Sequence, residues 1–221
     1  MTFDAGQTLV ELDLDFLVTR LAERGVHASV EALAAAIPGA WAHHDALVAG
    51  GAEHPWRGLM TALLSGAGLP EVAPLVEWLW REQPRANLWR KPMEDMVALA
   101  RELAARGARV AVLSNSEGRL AELLHEVGIA DAFEVIVDSG RLGVHKPDRR
   151  IFAHTLAALG DPDAVPIHIG DSWAADVVGA LDAGWRALWF GRQVRAVDDA
   201  RVAIARDATE ARAALVRWNA L

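Results

Sequence analysis

Ile169-Gly170-Asp171-Ser172-Trp173-Ala174-Ala175-Asp176 is the stretch on which the fold turns. The apolar run Val165 to Ile169 suits a short strand buried in a parallel sheet, and the pattern from Ala174 to Ala183 suits a helix that stops at Gly184. An acidic residue thus falls just past a strand, at the strand-to-helix turn, with a second one five positions on. Upstream the same alternation recurs. A helix opens at Pro92 and runs to Arg106, with Gly107 as its stop, before the strand run Arg109 to Leu113. Helix Arg119 to Val127 precedes strand Glu134 to Val137, and helix Asp148 to Leu159 follows Pro147. Downstream, strand Trp185 to Trp189 follows, and Asp207 with Glu210 has the spacing of a capping box for a last helix, Ala208 to Trp218. Regular alternation of this kind predicts an α/β fold, a doubly wound parallel sheet with helices on both faces joined by right-handed crossovers.

The stretch from Leu12 to about Leu88 carries helical periodicity only, with Leu14, Leu17, Val18 and Leu21 on one stripe and Val72, Leu75 and Leu79 on another. Gly25, Pro38, Gly50-Gly51, Gly66 to Pro70 and Pro84 punctuate it. The expected organisation is a core of residues 1–11 and 89–221 with an inserted all-helical cap, 12–88. Trp78 and Trp80 are read as packing residues of that insert, and His43, His44 and His54 as surface residues beside Trp41 and Trp56.

Composition narrows the function. The 221 residues are 52% hydrophobic and 24% charged, a globular balance. No apolar run reaches the ~18 residues of a membrane span, and the N-terminus lacks a signal-peptide pattern. With no Cys in the chain, disulfides and thiolate metal sites are excluded, which fits a cytoplasmic protein. A net charge of −8 argues against nucleic acid as a partner. Of 22 basic residues only Lys91 and Lys146 are lysines.

Four segments lie at or near the predicted strand C-termini, the edge where open parallel sheets bind ligands: Phe3-Asp4-Ala5-Gly6, Leu113-Ser114-Asn115, Lys146-Pro147, and Gly170-Asp171 through Asp176. Singly, each has an ordinary reading. An Asp after a strand caps a turn, Ser114-Asn115 makes a turn, Lys146 is a solvated charge, and Asp176 forms a salt bridge one turn into a helix. In this order, over nearly the whole chain, the set resembles the haloacid dehalogenase superfamily, most of whose members are phosphatases, and the insert sits where the helical-cap subgroup carries its cap.

The resemblance implies a Rossmann-like core and a Mg²⁺-dependent hydrolase acting on a small phosphorylated metabolite through an aspartyl-phosphate. Asp4 would be the nucleophile, splitting one difficult displacement into two easier ones. Asp4, Asp171 and the Gly6 carbonyl would hold Mg²⁺, with Asp176 in the outer shell. Ser114 and Asn115 would bind the phosphoryl group, and Lys146 would bind it and neutralise its charge with that of Asp4.

Two features depart from the family pattern. Its phosphatases carry a second Asp two positions after the nucleophile, which protonates the leaving group; here Gly6 stands there. A 2-haloacid dehalogenase also lacks that Asp, but that branch resembles Ser-Ser-Asn where this chain has Gly170-Asp171-Ser172. Phosphonate-cleaving enzymes have a small residue at the position of Gly6 but need a cap Lys, which residues 12–88 lack. A catalytically weak phosphoryl-ligand binding protein is the alternative from another class. The other departure is at the start: only Met1-Thr2-Phe3 precede Asp4, against the usual strand length of about five residues, so residues upstream of Met1 are expected.

Overall fold

The computed structural model describes residues 1–52, 55–160, 165–191 and 196–221, which fall into two compact units, Met1–Leu12 with Trp89–Leu221 and Asp13–Leu88. His54 lies outside the described residues.

The first unit contains strands β1 (Thr2–Phe3), β2 (Val10–Leu12), β3 (Trp89–Pro92), β4 (Ala111–Ser114), β5 (Val135–Asp138), β6 (Ile167–Gly170), β7 (Arg186–Phe190) and β8 (Val202–Ala205). Six form one sheet in the order β5-β4-β1-β6-β7-β8, with every neighbouring pair parallel. The chain winds outward from β1 through β4 to β5, then returns to the other side of β1 and winds out again through β6, β7 and β8. That reversal makes β1 the switch point, where the crevice beyond the strand ends opens between diverging connections.

Both faces of the sheet are covered, because successive strand residues point to opposite sides. Val112, Ile167, Ile169 and Leu188 join one core with Met96, Leu124 and Leu215, from helices Glu94–Ala105, Leu120–Glu126 and Ala208–Arg217. Leu113, Ala187 and Trp189 join the other with Phe152 and Ala180, from helices Arg149–Leu159 and Gly179–Asp182. The Asp207 carboxylate accepts the Glu210 N–H, and the Glu210 carboxylate reaches back to the Arg206 N–H. Left-handed Gly160 and Gly184 end their helices, a conformation that glycine adopts without steric penalty.

Several local features depart from the periodicity. Pro92 ends β3 rather than opening a helix, and the helix begins at Glu94. β2 and β3 pair as an antiparallel ribbon in which Val10 faces Pro92, a place where a residue without an N–H is tolerated. β8 follows β7 as an edge strand whose short run, Val202–Ala205, carries too few residues to declare itself. The helix expected from Ala174 opens as a π-helical turn, Trp173–Val178.

The unit Asp13–Leu88 is helical: Leu14–Ala22, Val30–Ala49, Trp56–Gly66 and Val72–Glu82. Leu17, Leu21, Leu75 and Leu79 are buried as the stripes require. Pro38 does not break its helix, which runs on through buried Leu33 and Ala40. Trp80 packs on Trp56 with ring centroids 5.2 Å apart, and the Arg57 guanidinium lies 4.5 Å from the Trp80 ring centroid. Among the described residues no helix is long and apolar enough to cross a membrane.

β1 is the most leveraged strand, since its two residues pair on both sides and Phe3 is wholly buried, edge-on to Phe133. Phe3→Ala is expected to cost ~3–5 kcal/mol of stability. Urea unfolding checks this: the midpoint should fall while the slope stays at the wild-type value.

Candidate active site

Asp4 follows β1 directly, and its N–H donates to the Ile169 carbonyl at 2.8 Å, so the switch point itself fixes the backbone of Asp4. Ser114 ends β4, and Asp171 follows β6. Lys146 reaches in from the loop ahead of helix Arg149–Leu159. Its ammonium has three donors, and each has a buried acceptor: Asp4 Oδ1 at 2.6 Å, Asp176 Oδ1 at 2.6 Å and the Leu113 carbonyl at 2.8 Å. Asn115 clamps the backbone of that lysine. The Lys146 N–H donates to Asn115 Oδ1 at 2.8 Å, and Asn115 Nδ2 donates to the Lys146 carbonyl at 3.0 Å. Among the described residues the buried Ser114 hydroxyl has no hydrogen-bond partner. Ser114, Lys146, Asp4 and Asp171 are thereby gathered at one edge, as their order along the chain predicted.

Asp176 is the most constrained of the acids. Oδ1 accepts from Lys146 and from His168 Nε2 at 2.9 Å, and Oδ2 accepts from the Ser172 N–H at 2.8 Å. Its approach depends on Gly170, where an added Cβ would lie 2.3 Å from Asp176 Cγ. Glycine at 170 is therefore required by a close contact of side chain on backbone.

His168 is the functional neighbour that motif reading missed. It sits on central strand β6, buried, with Nδ1 2.8 Å from the Thr2 hydroxyl of β1, its partner in register. Its ring stands edge-on to Phe152 at 5.6 Å. The available signal was a histidine inside the otherwise apolar run 165–169, since a polar group in a doubly covered strand must have a partner.

Electrostatics follow from burial. Burial is the largest influence on Asp4 and pushes its carboxyl up, Lys146 opposes this, and nearby Asp176 adds to the rise. Burial also pushes Asp176 upward, but Lys146 and His168 together hold it well below the usual carboxylate range. Burial and the neighbouring Lys146 charge push the His168 imidazole down, so the ring is neutral. Burial opposes the charge on Lys146, yet Asp176 and Asp4 outweigh it and keep the ammonium protonated. A neutral ring facing a carboxylate carries its proton on Nε2, so the Thr2 hydroxyl donates to Nδ1.

Asp4, Asp171 and Asp176 offer carboxylate oxygens within 4.8 Å of one another. Lys146 pairs with Asp4 and Asp176, and the three carboxylates together could offer oxygens to one divalent cation. The donors are all hard oxygens, a set suited to Mg²⁺. Space remains beside Asp4 as well. A Cβ on Gly6 would meet only Trp89 Cδ1, at 3.8 Å, an ordinary contact.

A carboxylate poised against a buried lysine at the switch point of a doubly wound sheet is the arrangement of a carboxylate-based hydrolase. The chain belongs to that class by descent: residues 1–184 match the family of haloacid dehalogenase-like hydrolases. It is 34% identical over 179 residues to the phosphoserine phosphatase of Thermus thermophilus, spanning 78% of this chain and 68% of that protein. It is 33% identical over 136 residues to haloacid dehalogenase-like hydrolase domain-containing protein 3 of Bos taurus, spanning 60% of this chain and only 54% of that protein. An (S)-2-haloacid dehalogenase of Pseudomonas sp. is 30% identical over 109 residues, 48% of this chain and 46% of that enzyme. In fold, the chain is similar to the magnesium-bound HAD-hydrolase YfnB of Bacillus subtilis, at a TM-score of 0.66 and 18% identity over 97% of this chain and 96% of that one.

Removing Lys146 leaves Asp4 and Asp176 buried together without their cation. Lys146→Met is expected to cost ~3–5 kcal/mol near neutral pH, the scale for breaking a buried ion pair. The folded variant then binds protons on these carboxylates more tightly than the unfolded chain does. Its deficit therefore narrows as pH falls from neutrality toward the ordinary carboxylate range. Denaturant unfolding of wild type and variant at about pH 7.5 and about pH 5 reads both effects.

Proposed function

We propose that this protein is a Mg²⁺-dependent phosphatase of small phosphorylated metabolites, working through an aspartyl-phosphate on Asp4. The observation that carries the reading is the pairing of Asp4 with Lys146 while Asp171 stands within ligand distance of it. Asp4 Oδ1 is held by the ammonium, which leaves Oδ2 to attack phosphorus. Lys146 would offset charge on both the nucleophile and the incoming phosphoryl group, and the Ser114 hydroxyl would donate to a phosphoryl oxygen. Asn115 contributes by holding the Lys146 backbone, beside the phosphoryl contact proposed for it. Mg²⁺, held by Asp4, Asp171 and the Gly6 carbonyl with Asp176 in the outer shell, would supply charge neutralisation for the substrate phosphate. Water then attacks the phosphorus of the aspartyl-phosphate, releasing inorganic phosphate and regenerating Asp4.

Similarity to a 2-haloacid dehalogenase supports the rival reading, in which Asp4 displaces halide from carbon. Retention of Asp171 favours the phosphatase. Mg²⁺ at millimolar concentration is expected to raise the melting temperature of wild type and not that of Asp171→Ala. A wild type indifferent to Mg²⁺ would remove the distinction from a dehalogenase. A screen of phosphorylated metabolites, an aryl phosphate and 2-haloacids, each with and without Mg²⁺, then assigns the reaction.

Gly6 would limit the chemistry, because glycine offers no carboxyl from which a leaving group could take its proton. General acid help is typically worth ~10² to 10⁴ in rate, and aryl or other acidic leaving groups need it least. Wild type is expected to cleave aryl phosphates far faster than alkyl phosphates. Gly6→Asp, whose Cβ would make an ordinary contact with Trp89 at 3.8 Å, is expected to raise kcat for alkyl phosphates selectively. Equal wild-type rates on both classes would mean that another group delivers the proton.

A further inference from the structure

We propose that His168 is a positioning residue: through Asp176 it fixes the ammonium of Lys146 against Asp4. The geometry is a single buried chain of hydrogen bonds, Thr2 hydroxyl to His168 Nδ1 at 2.8 Å, His168 Nε2 to Asp176 Oδ1 at 2.9 Å, and Lys146 between Asp176 Oδ1 and Asp4 Oδ1 at 2.6 Å each. Every link is rooted in a different element: β1, β6, the π-helical turn and the loop before helix Arg149–Leu159. His168 makes no hydrogen bond to Asp4 or Lys146 among the described residues, and Asp176 is its hydrogen-bonded link to them.

The reason a donor is needed there lies in how Asp176 is shared. Lys146 offers one ammonium to two buried carboxylates, and each draws it. Asp176 Oδ1 takes the lysine on one side and the imidazole N–H on the other, which directs its carboxylate plane as well as satisfying it. The Ser172 N–H occupies Oδ2, so rotation of Asp176 is opposed at both of its oxygens. Without the imidazole donor, Oδ1 has an unmatched acceptor site, and Asp176 turns toward the lysine and draws it from Asp4. Phe152 packs edge-on against the ring, with centroids 5.6 Å apart.

The rate consequence rests on the phosphatase reading; the geometric one does not. A glutamine amide extends to the position of Nε2 and an asparagine amide only to that of Nδ1, so the two variants test the same chemistry at two reaches. His168→Asn is expected to lower kcat for an aryl phosphate about tenfold or more with KM changed less than about twofold, and His168→Gln to recover most of that loss. A second readout uses the fact that the chain has two lysines, Lys91 and Lys146. With ¹⁵N-lysine labelling of the full chain, without substrate, the buried Lys146 ammonium should give a slowly exchanging NH₃⁺ signal, while Lys91 on the surface exchanges fast. That signal should persist in His168→Gln and broaden away in His168→Asn. If it survives unchanged in folded His168→Asn, or if both variants lose it and kcat alike, His168 is a packing residue and the proposal is overturned. If the signals follow the expected pattern while wild type turns over no phosphate ester, the positioning role stands and the phosphatase reading falls.

Discussion

The structure depends on one buried ammonium. Lys146 reaches the core with all three protons matched by acceptors, two of them carboxylates that could not lie so close in a low-dielectric interior without it. The contact ties together segments far apart in the chain, since Asp4 and Lys146 are separated by 142 positions. Around it the rest is arranged: Asn115 grips the backbone of the lysine, Gly170 makes room for Asp176, and the β1–β6 pairing brings Thr2 to His168.

The same constraint explains why the site is so polar and yet so buried. Burial pushes the Asp4 carboxyl up, and the nearby Asp176 charge adds to the rise. One cation shared by two acids only partly relieves this, and Asp171 adds a third carboxylate. A site that brings three carboxylates within 4.8 Å of one another is suited to a divalent cation and an electrophile. That is the physical content of its membership among the haloacid dehalogenase-like hydrolases. Gly6 modifies this scheme without disturbing it, because a Cβ there would make only an ordinary contact with Trp89, at 3.8 Å.

Much of this was legible from residue order. The alternation of apolar strand runs with amphipathic helices is a local property, and each strand of the main sheet except β8 was visible in it or in the residues before Asp4. Helices of the unit Asp13–Leu88 were visible for the same reason, through the stripes of Leu17, Leu21, Leu75 and Leu79. Asp4, Ser114, Lys146 and Asp171 were legible because a parallel sheet delivers its strand C-termini to one edge whatever the details of packing. Boundaries were less so. Pro92 read as a helix start because proline favours that position, and only the pairing of β3 with β2 made it a strand end.

What the sequence determined by itself was the period and order of its elements, hence the doubly wound sheet and the identity of the groups that meet at its edge, because these follow from side-chain spacing along the chain. What only the tertiary structure decided was how those groups divide their hydrogen bonds. That Lys146 is shared between Asp4 and Asp176, that Asn115 holds a lysine backbone, that Gly170 answers a carboxylate 2.3 Å from its missing Cβ, and that His168 completes the array are facts about distances between atoms far apart in sequence. No periodicity encodes such distances, because they are set by strand register and by the directions in which buried side chains find partners.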